Sequence, residues 1–450
     1  MSLQNEPQRL LAPRDAIAIM VGLVIGAGIF KTPSMVAGVA GDAGWILLIW
    51  LVGALISLAG ALCYAELSAA YPHTGGDYHF LARAYGKNIA FLYAWAKSTV
   101  INTGSVALLA FVFGDFMSQV LVLGPYSSAI WAVAVVLLLT LINLLGIRQS
   151  ARLQNVLTVL EVLGLLAIVI AGFVVERPVN PDPTLFSSQP PLGLMGLALV
   201  FVLLTFGGWN EAAYMSAEVK GGSQAIVKVL ILSLAIITLV YGLVNIALLH
   251  GLGVAGLAQS KTAGADLLGL AFGPWAQKAL GLFVAIAALT SINATLIVGA
   301  RSNYAIGRDW LQLGFMGRWH AEKGTPALAY LIQAGISLAL IGFGLLQADG
   351  FSAMVEFTAP VFWLFLLLVG LSVFVLRRKD GLTHRPFKIP LYPLTPLVFC
   401  GACGYLAYSS IAYAASQNAV HVSLWVMAVG MVVLVLMNFS RRSAVISTMD

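Results

Sequence analysis

Charge is what this sequence has least of. Only 9% of its 450 residues are Asp, Glu, Lys or Arg, and 60% are apolar. An ordinary soluble domain is about 25% charged and about 45–50% apolar. The shortage excludes a soluble globular enzyme, a disordered chain, a coiled coil and a nucleic-acid binder, each of which needs far more charged surface. Cysteine is scarce too: Cys63, Cys400 and Cys403 are the only three, and all sit in apolar runs. The last two have a CxxC spacing but no second pair, so they read as packing residues rather than as a redox or metal motif. The six histidines fall in loops or at the ends of runs, and there is neither an HExxH zinc motif nor a GxSxG nucleophile elbow. A membrane-embedded enzyme is thus left without recognisable machinery. No ring of like charges marks an open pore. The N-terminus begins with about a dozen polar residues and lacks a cleavable signal pattern.

Long apolar runs are what the sequence has in abundance. Twelve follow one another, and each is long enough to cross a bilayer core of about 30 Å. They cover roughly 15–38, 44–71, 85–121, 126–145, 151–174, 192–218, 224–249, 268–303, 326–346, 352–376, 391–415 and 420–439, and are numbered spans 1–12 below. Roughly 15 residues remain per connection, too few for an extramembrane domain. Residues 1–450 therefore form one transmembrane domain, with a polar segment at 1–14 and a tail at 440–450. The expected fold class is an all-α polytopic membrane protein. Spans 3 and 8 are long enough to tilt or to extend beyond the bilayer.

Lysine and arginine set the orientation. Nineteen lie at the termini and in alternate loops, against three in the intervening loops (Arg177, Lys261 and Lys278); Lys31 and Lys97 lie inside spans. That bias places both termini in the cytoplasm of a cell membrane, and it explains the net charge of +6 as a topology signal.

Two spans are interrupted. Span 1 contains Gly26-Ala27-Gly28 and span 6 contains Gly207-Gly208. Glycine in mid-helix costs about 1 kcal/mol relative to alanine, and here it clusters. The interrupted spans are five apart, and a unit of five re-enters the membrane upside down. Spans 1–5 (about 15–174) and 6–10 (about 192–376) would then be inverted repeats, with spans 11 and 12 (about 391–439) appended. Breaks at matching positions of two such halves point to a transporter and to its binding site. The alternative is that the glycines only let helices pack closely.

Four motifs carry a family resemblance. Ile25-Gly-Ala-Gly-Ile-Phe30 with Thr32-Pro33 resembles the first helix of the amino acid–polyamine–organocation (APC) transporters. Tyr71-Pro-His-Thr-Gly-Gly-Asp-Tyr78 with Ala84-Tyr-Gly86 resembles the loop between their second and third helices. Phe206-Gly-Gly-Trp-Asn210 with Ser216-Ala-Glu218 resembles helix 6 of the L-type amino acid transporter branch and its bacterial relatives. Arg385-Pro-Phe-Lys-Ile-Pro-Leu-Tyr-Pro393 resembles the loop before their helix 11. The four occur in order, and the likeness runs from about Pro13 to Ser440. The resemblance implies a LeuT-like five-plus-five inverted repeat with twelve transmembrane helices, 1 and 6 broken. It also implies secondary transport of amino acids, by exchange or by proton or sodium symport. A sensor that binds without net transport would keep the same pocket. Some eukaryotic relatives hold a single-span subunit through a cysteine in the loop after helix 3. The corresponding loop here, around Gly124-Pro125-Tyr126, has none, so no disulfide-linked accessory subunit is expected.

A broken helix suits a zwitterion. The start of its outer half offers free N–H groups and a positive dipole end, and the end of its inner half offers free carbonyls. The N–H groups of Ala27, Gly28 and Ile29 are expected to take the substrate carboxylate. The carbonyls of Val24 and Ile25, with those of Thr205 and Phe206, are expected to take the ammonium. Glycine at 26, 28, 207 and 208 lets ligand approach backbone, so a bulky residue at Gly26 or Gly28 should abolish binding more than folding. Phe206 and Trp209 are candidate pocket walls. The resemblance places the family's bulky gate residue on Leu204. Asn210 either binds substrate or ties span 6 to its neighbours. No charged cluster marks the site, which favours neutral side chains, with cationic amino acids or amines as the alternative.

Four charges lie well inside spans: Lys31, Lys97, Glu161 and Glu211. Such charges are expensive and default to functional readings. Lys97 and Glu161 lie at similar depth, about 17 Å in at 1.5 Å per residue, and are expected to interact directly or through water. Many relatives have a lysine where Glu161 stands, in place of the sodium ion of sodium-coupled LeuT-like carriers. Three roles are open to Glu161: proton coupling, binding a cation with Thr290 and Ser291, or leaving Lys97 to supply the positive charge. Glu211 is expected to be stabilised by the helix dipole, and Lys31 to be solvated in a vestibule. Glu66 and Glu218 are expected to pair with loop arginines across an inner gate. No cofactor and no metal are expected beyond a coupling Na+ or H+.

Overall fold

A computed structural model describes residues 11–26, 28–73, 75–176, 185–186, 192–216, 219–260, 262–320, 322–346, 350–416 and 420–447. Span 1 is a bent pair, α1 (Pro13–Val24) and α2 (Gly28–Ala40), with 45° between the halves. Span 2 is α3 (Ala43–Ala70), and the short α4 (Asp77–Tyr85) follows it. Span 3 is α5 (Lys87–Ala96), a π-helical turn (Lys97–Ile101) and α6 (Asn102–Val120). Spans 4 and 5 are α7 (Ser127–Leu145) and α8 (Ile147–Val174). Span 6 is α9 (Leu192–Thr205) followed by a 3₁₀ stretch, Trp209–Met215. Span 7 is α10 (Gly222–Gln259), the short α11 (Ala263–Phe272) follows, and span 8 is α12 (Pro274–Asp309). Spans 9–12 are α13 (Ala327–Gly344), α14 (Gly350–Lys379), α15 (Leu394–Ser416) and α16 (Val420–Ser447).

Among the described residues, ten helices are long and apolar enough to cross a bilayer, and the bent pair makes an eleventh. α16 adds a shorter apolar stretch, Leu424–Phe439. Large apolar side chains also line the outside of the bundle, among them Leu137, Leu138 and Leu141 of α7 and Val156, Val159 and Leu163 of α8. A face of that kind suits lipid rather than water. This is a multi-pass membrane protein.

The repeat is visible in the backbone. Each half places a short helix between its second and third spans, α4 in one and α11 in the other. Each short helix ends on a glycine of the same unusual conformation: Gly86 at φ 93°, ψ 171° and Gly273 at φ 86°, ψ 179°. Only glycine adopts such angles without strain. Packing follows the same exchange. Spans 2 and 7 pack on each other, as do 3 and 8; span 8 meets 5 as 3 meets 10, and span 2 meets 6 as 7 meets 1.

Several boundaries differ from expectation. Span 8 starts at Pro274, not Leu268, because Gly273 separates off α11, where Leu268 lies. Span 7 runs on to Gln259, across a kink at Gly253. The tail continues α16 as helix to Ser447. The inner half of span 6 is 3₁₀ rather than α-helix.

The Arg- and Lys-rich loops converge on one end of the bundle. Leu11 bridges to Val219, with Lys220 N–H donating to the Leu11 carbonyl at 2.9 Å. At the other end Asp42 caps α3 through Gly44 N–H (2.7 Å) and also accepts from Phe186 N–H (3.0 Å), joining two distant loops.

Candidate functional site

The two breaks meet near the middle of the bundle. α1 stops at Val24 because Ile25 is extended (ψ 100°), although its N–H still reaches the Val21 carbonyl at 2.8 Å. α9 stops at Thr205, and Phe206 and Gly207 close its last turn onto Val202 and Leu204. Gly208 is left-handed (φ 111°). A Cβ on Gly28 would lie 2.9 Å from Thr205 Oγ1, one on Gly208 would lie 3.0 Å from the Leu23 carbonyl oxygen, and one on Gly26 would lie 3.0 Å from Ser291 Oγ. The glycines therefore bring spans 1, 6 and 8 into contact at the breaks. The Thr32 and Thr205 hydroxyls share a hydrogen bond of 2.7 Å across the same seam. Gly28 and Ile29 open α2, so their N–H groups have no acceptor within the helix. Ala27 lies outside the described residues.

One residue of this seam was not singled out from the sequence. The Tyr241 hydroxyl of α10 donates toward both the Val24 carbonyl (2.9 Å) and the Thr205 carbonyl (3.1 Å). Two of the four carbonyls assigned to the ammonium are thus already engaged, and those of Ile25 and Phe206 remain. A phenol has one proton for two acceptors, so each carbonyl keeps a free lone pair. The only sequence signal was a tyrosine within an aliphatic run. Tyr241, Phe206 and Trp50 form an aromatic cluster with centroids 5.0 to 6.0 Å apart. Phe206 is buried there, and Leu204 is half-buried against the core. Trp209 points the other way, onto Tyr64 and Phe399. With Gly207 and Asn210 it borders a cavity of about 20 Å³ that Ser57, Phe362 and Cys403 complete. That is room for about one water.

The intramembrane charges pair differently from the expected scheme. Lys97 Nζ binds both Glu211 oxygens at 2.8 Å. The Tyr214 ring lies 4.0 Å from the ammonium. Glu211 is therefore held by an ion pair, and the helix dipole is not its main partner. Asn210 Nδ2 donates to the same carboxylate at 3.2 Å, a bond within span 6 that helps orient Glu211 toward Lys97. Lys97 begins the π-turn of span 3, a distortion frequent at functional sites.

Glu161 is buried on span 5, and neither carboxylate oxygen has a hydrogen-bond partner. The expected Lys97–Glu161 interaction is absent. Equal depth does not mean equal direction: Glu161 shares a face of α8 with Gln154 and Thr158, which pack on Gly22 of span 1 together with Thr290 of span 8. Thr290 spends its proton on the Ile286 carbonyl (2.9 Å), and Ser291 donates to the Gly22 carbonyl (3.3 Å). Lys31 is exposed.

Comparison with known proteins agrees with this geometry. The amino acid permease family model matches residues 11–436. The chain belongs to the amino acid permease family. It is 28% identical over 400 residues to the b(0,+)-type amino acid transporter 1 of Mus musculus, covering 87% of this chain and 80% of that one. It is 26% identical over 392 residues to the serine/threonine exchanger SteT of Bacillus subtilis (strain 168), with 85% and 86% covered. Large neutral amino acids transporter small subunit 2 of Mus musculus is 29% identical over 402 residues, with 86% and 73% covered.

In this permease ion pairs tie the basic end together. Arg377 binds Glu66 through Nε (2.8 Å) and Nη2 (2.5 Å), Arg385 Nε lies 3.4 Å from the same carboxylate, and Ile389 N–H donates to it at 2.8 Å. Arg83 binds Asp380 at 2.8 Å, and this guanidinium holds the Asp380 carboxyl below the usual carboxylate range. The partners expected for Glu66 are therefore present. Glu218 lies outside the described residues.

Proposed function

We propose that this permease carries neutral L-amino acids across a cell membrane by alternating access, with the zwitterion bound at the paired breaks. The carrying observation is the seam itself. Gly28 sits against Thr205, Tyr241 bridges the ends of α1 and α9, and helix-start N–H groups and helix-end carbonyls meet at the seam. Such a seam offers donors and acceptors without charged side chains. The nearest intramembrane ion pair, Lys97–Glu211, is internally compensated, which favours substrates with neutral side chains. Two relatives are named for serine/threonine exchange and for large neutral amino acids.

The basic end faces the cytoplasm in this reading, with both termini there. Cys63, Cys400 and Cys403 are free and buried, so no disulfide-linked subunit is assigned. Cation coupling has its own support in Glu161. A buried carboxylate with no hydrogen-bond partner is unstable in a membrane unless it takes up a proton or a cation such as Na+. Thr290 of span 8 stands beside it.

Binding of a labelled neutral amino acid to purified protein tests the site. Unlabelled neutral amino acids should displace the label, cationic ones should displace it poorly, and Gly28→Val should bind at least about ten-fold more weakly while remaining folded. Equal binding by wild type and Gly28→Val would place the substrate elsewhere.

A further inference from the structure

Asp77 takes part neither in the seam nor in the Glu161 site. It is the first residue of α4 and is only 2% exposed. Gly76 before it has φ +46°, and a Cβ there would lie 2.8 Å from the Tyr214 ring, so the turn fits closely on span 6. Asp77 Oδ2 accepts from the Tyr93 hydroxyl at 2.8 Å, and that hydroxyl also meets the Tyr214 hydroxyl at 2.7 Å. Asp77 Oδ1 has no hydrogen-bond partner. The residue borders a cavity of about 10 Å³ together with Tyr93, Lys97, Asn210 and Glu211.

The groups that face Asp77 can be counted by element. Span 2 contributes the Tyr64 hydroxyl, span 3 contributes Tyr93 and the Lys97 ammonium, and span 6 contributes the Glu211 carboxylate and Tyr214. Among the described residues, span 10 lines the cavity with the apolar Phe362, Phe365 and Leu366. Two carboxylates thus share one ammonium, and Glu211 already holds that ammonium through both oxygens. Burial pushes the Asp77 carboxyl up, to about 6, and Lys97 offsets this only in part.

We propose that Asp77 is a proton site of this carrier, loaded while the basic end is sealed and emptied when the inner part of span 6 moves away. The cavity holds about one water, and a metal ion in it would face the Lys97 ammonium. A proton needs no coordination sphere and removes the excess negative charge. Release rests on the transport reading. His73 N–H donates to Ser216 Oγ at 3.2 Å, and Gly76 packs on the Tyr214 ring, so movement of 209–216 would loosen the packing around Asp77 and admit water. Hydrated, the carboxyl returns to its ordinary value of 3.8. The sealed form therefore binds more protons than the open form. Acid favours sealing, and that preference is lost as pH rises from about 4 to about 6, by up to about a hundred-fold in the sealed/open equilibrium.

Infrared difference spectra of purified wild-type protein, titrated with pH, read this directly. The expected result is a protonated-carboxyl band with a midpoint near 6 that persists in Glu161→Gln and is missing in Asp77→Asn. In counterflow of a labelled neutral amino acid at equal pH on both sides, Asp77→Asn should flatten the wild-type pH profile over the same range. Folded, active Asp77→Asn that keeps the wild-type profile or the band would overturn the proposal. Should Asp77→Asn not fold, Tyr93→Phe decides. It removes a hydrogen bond that favours the charged form, so the midpoint must move to higher pH; an unmoved midpoint overturns the proposal. Wild type that shows no counterflow would sink the transport reading alone, because the infrared titration does not depend on flux.

Discussion

Replacing Lys97 by methionine keeps much of the side-chain volume and removes the charge. Lys97 is 1% exposed and Glu211 11%, so solvent screens the pair little. At 2.8 Å and an effective dielectric of about 20, the attraction is about 6 kcal/mol. Breaking a buried pair from one side costs about 3–5 kcal/mol, because the other charge is left uncompensated. Loss of the ammonium over the Tyr214 ring adds to this. Lys97→Met should therefore destabilise by about 4 kcal/mol. Lys97→Met/Glu211→Leu, which removes both charges, should return to within about 1–2 kcal/mol of wild type. Denaturant titration of the purified protein in detergent, followed by tryptophan fluorescence, measures both. The sign of the coupling is the decisive quantity. A double variant no more stable than Lys97→Met, or a single variant within about 1 kcal/mol of wild type, would refute the buried-pair account.

Three further outcomes follow from the same geometry. Gly28→Val, which drives a side chain into Thr205, should abolish amino acid binding while shifting the unfolding transition by no more than about 1–3 kcal/mol, as overpacking does; ligand binding and denaturation on one preparation separate the two effects. Tyr241→Phe leaves the Val24 and Thr205 carbonyls without their shared donor and should cost about 1–3 kcal/mol of stability, measured by the same titration. Glu66→Gln should loosen the basic end. Because Arg377 is 22% exposed, the cost should be about 2–3 kcal/mol rather than the full value of a buried pair, and buried Cys63, three residues away on α3, should react several-fold faster with a water-soluble maleimide.

Much of the fold was legible because the bilayer imposes a one-dimensional code. Run length gave the spans, and alternation of Lys and Arg gave the faces that Leu11, Arg83, Lys220 and Arg377 share. Clustered glycines marked both breaks, since few other residues permit such close approach. What the sequence hid was direction around each helix axis. Lys97 and Glu161 count to similar depth along the sequence, yet one faces span 6 and the other faces spans 1 and 8. Pairing by depth alone joined the wrong partners. Tyr241 was hidden for a related reason: a tyrosine in an aliphatic run reads as core until its hydroxyl is seen on two helix ends. The boundary between α11 and α12 was missed because Gly273-Pro274 interrupts a run whose hydropathy continues across it. Asp77 stood in a recognised motif, but its burial beside Tyr214 depends on how Gly76 packs against span 6.

Flux through reconstituted protein tests the central claim most directly. Labelled neutral amino acid is offered to liposomes that are either preloaded with unlabelled amino acid or empty, with sodium and pH equal on both sides. The expected result is uptake that wild type supports and Gly28→Val does not. Uptake only into preloaded vesicles would identify obligatory exchange. Uptake also into empty ones would call for sodium and proton gradients with Glu161→Gln. Folded wild-type protein that moves no neutral amino acid under either condition would contradict the account.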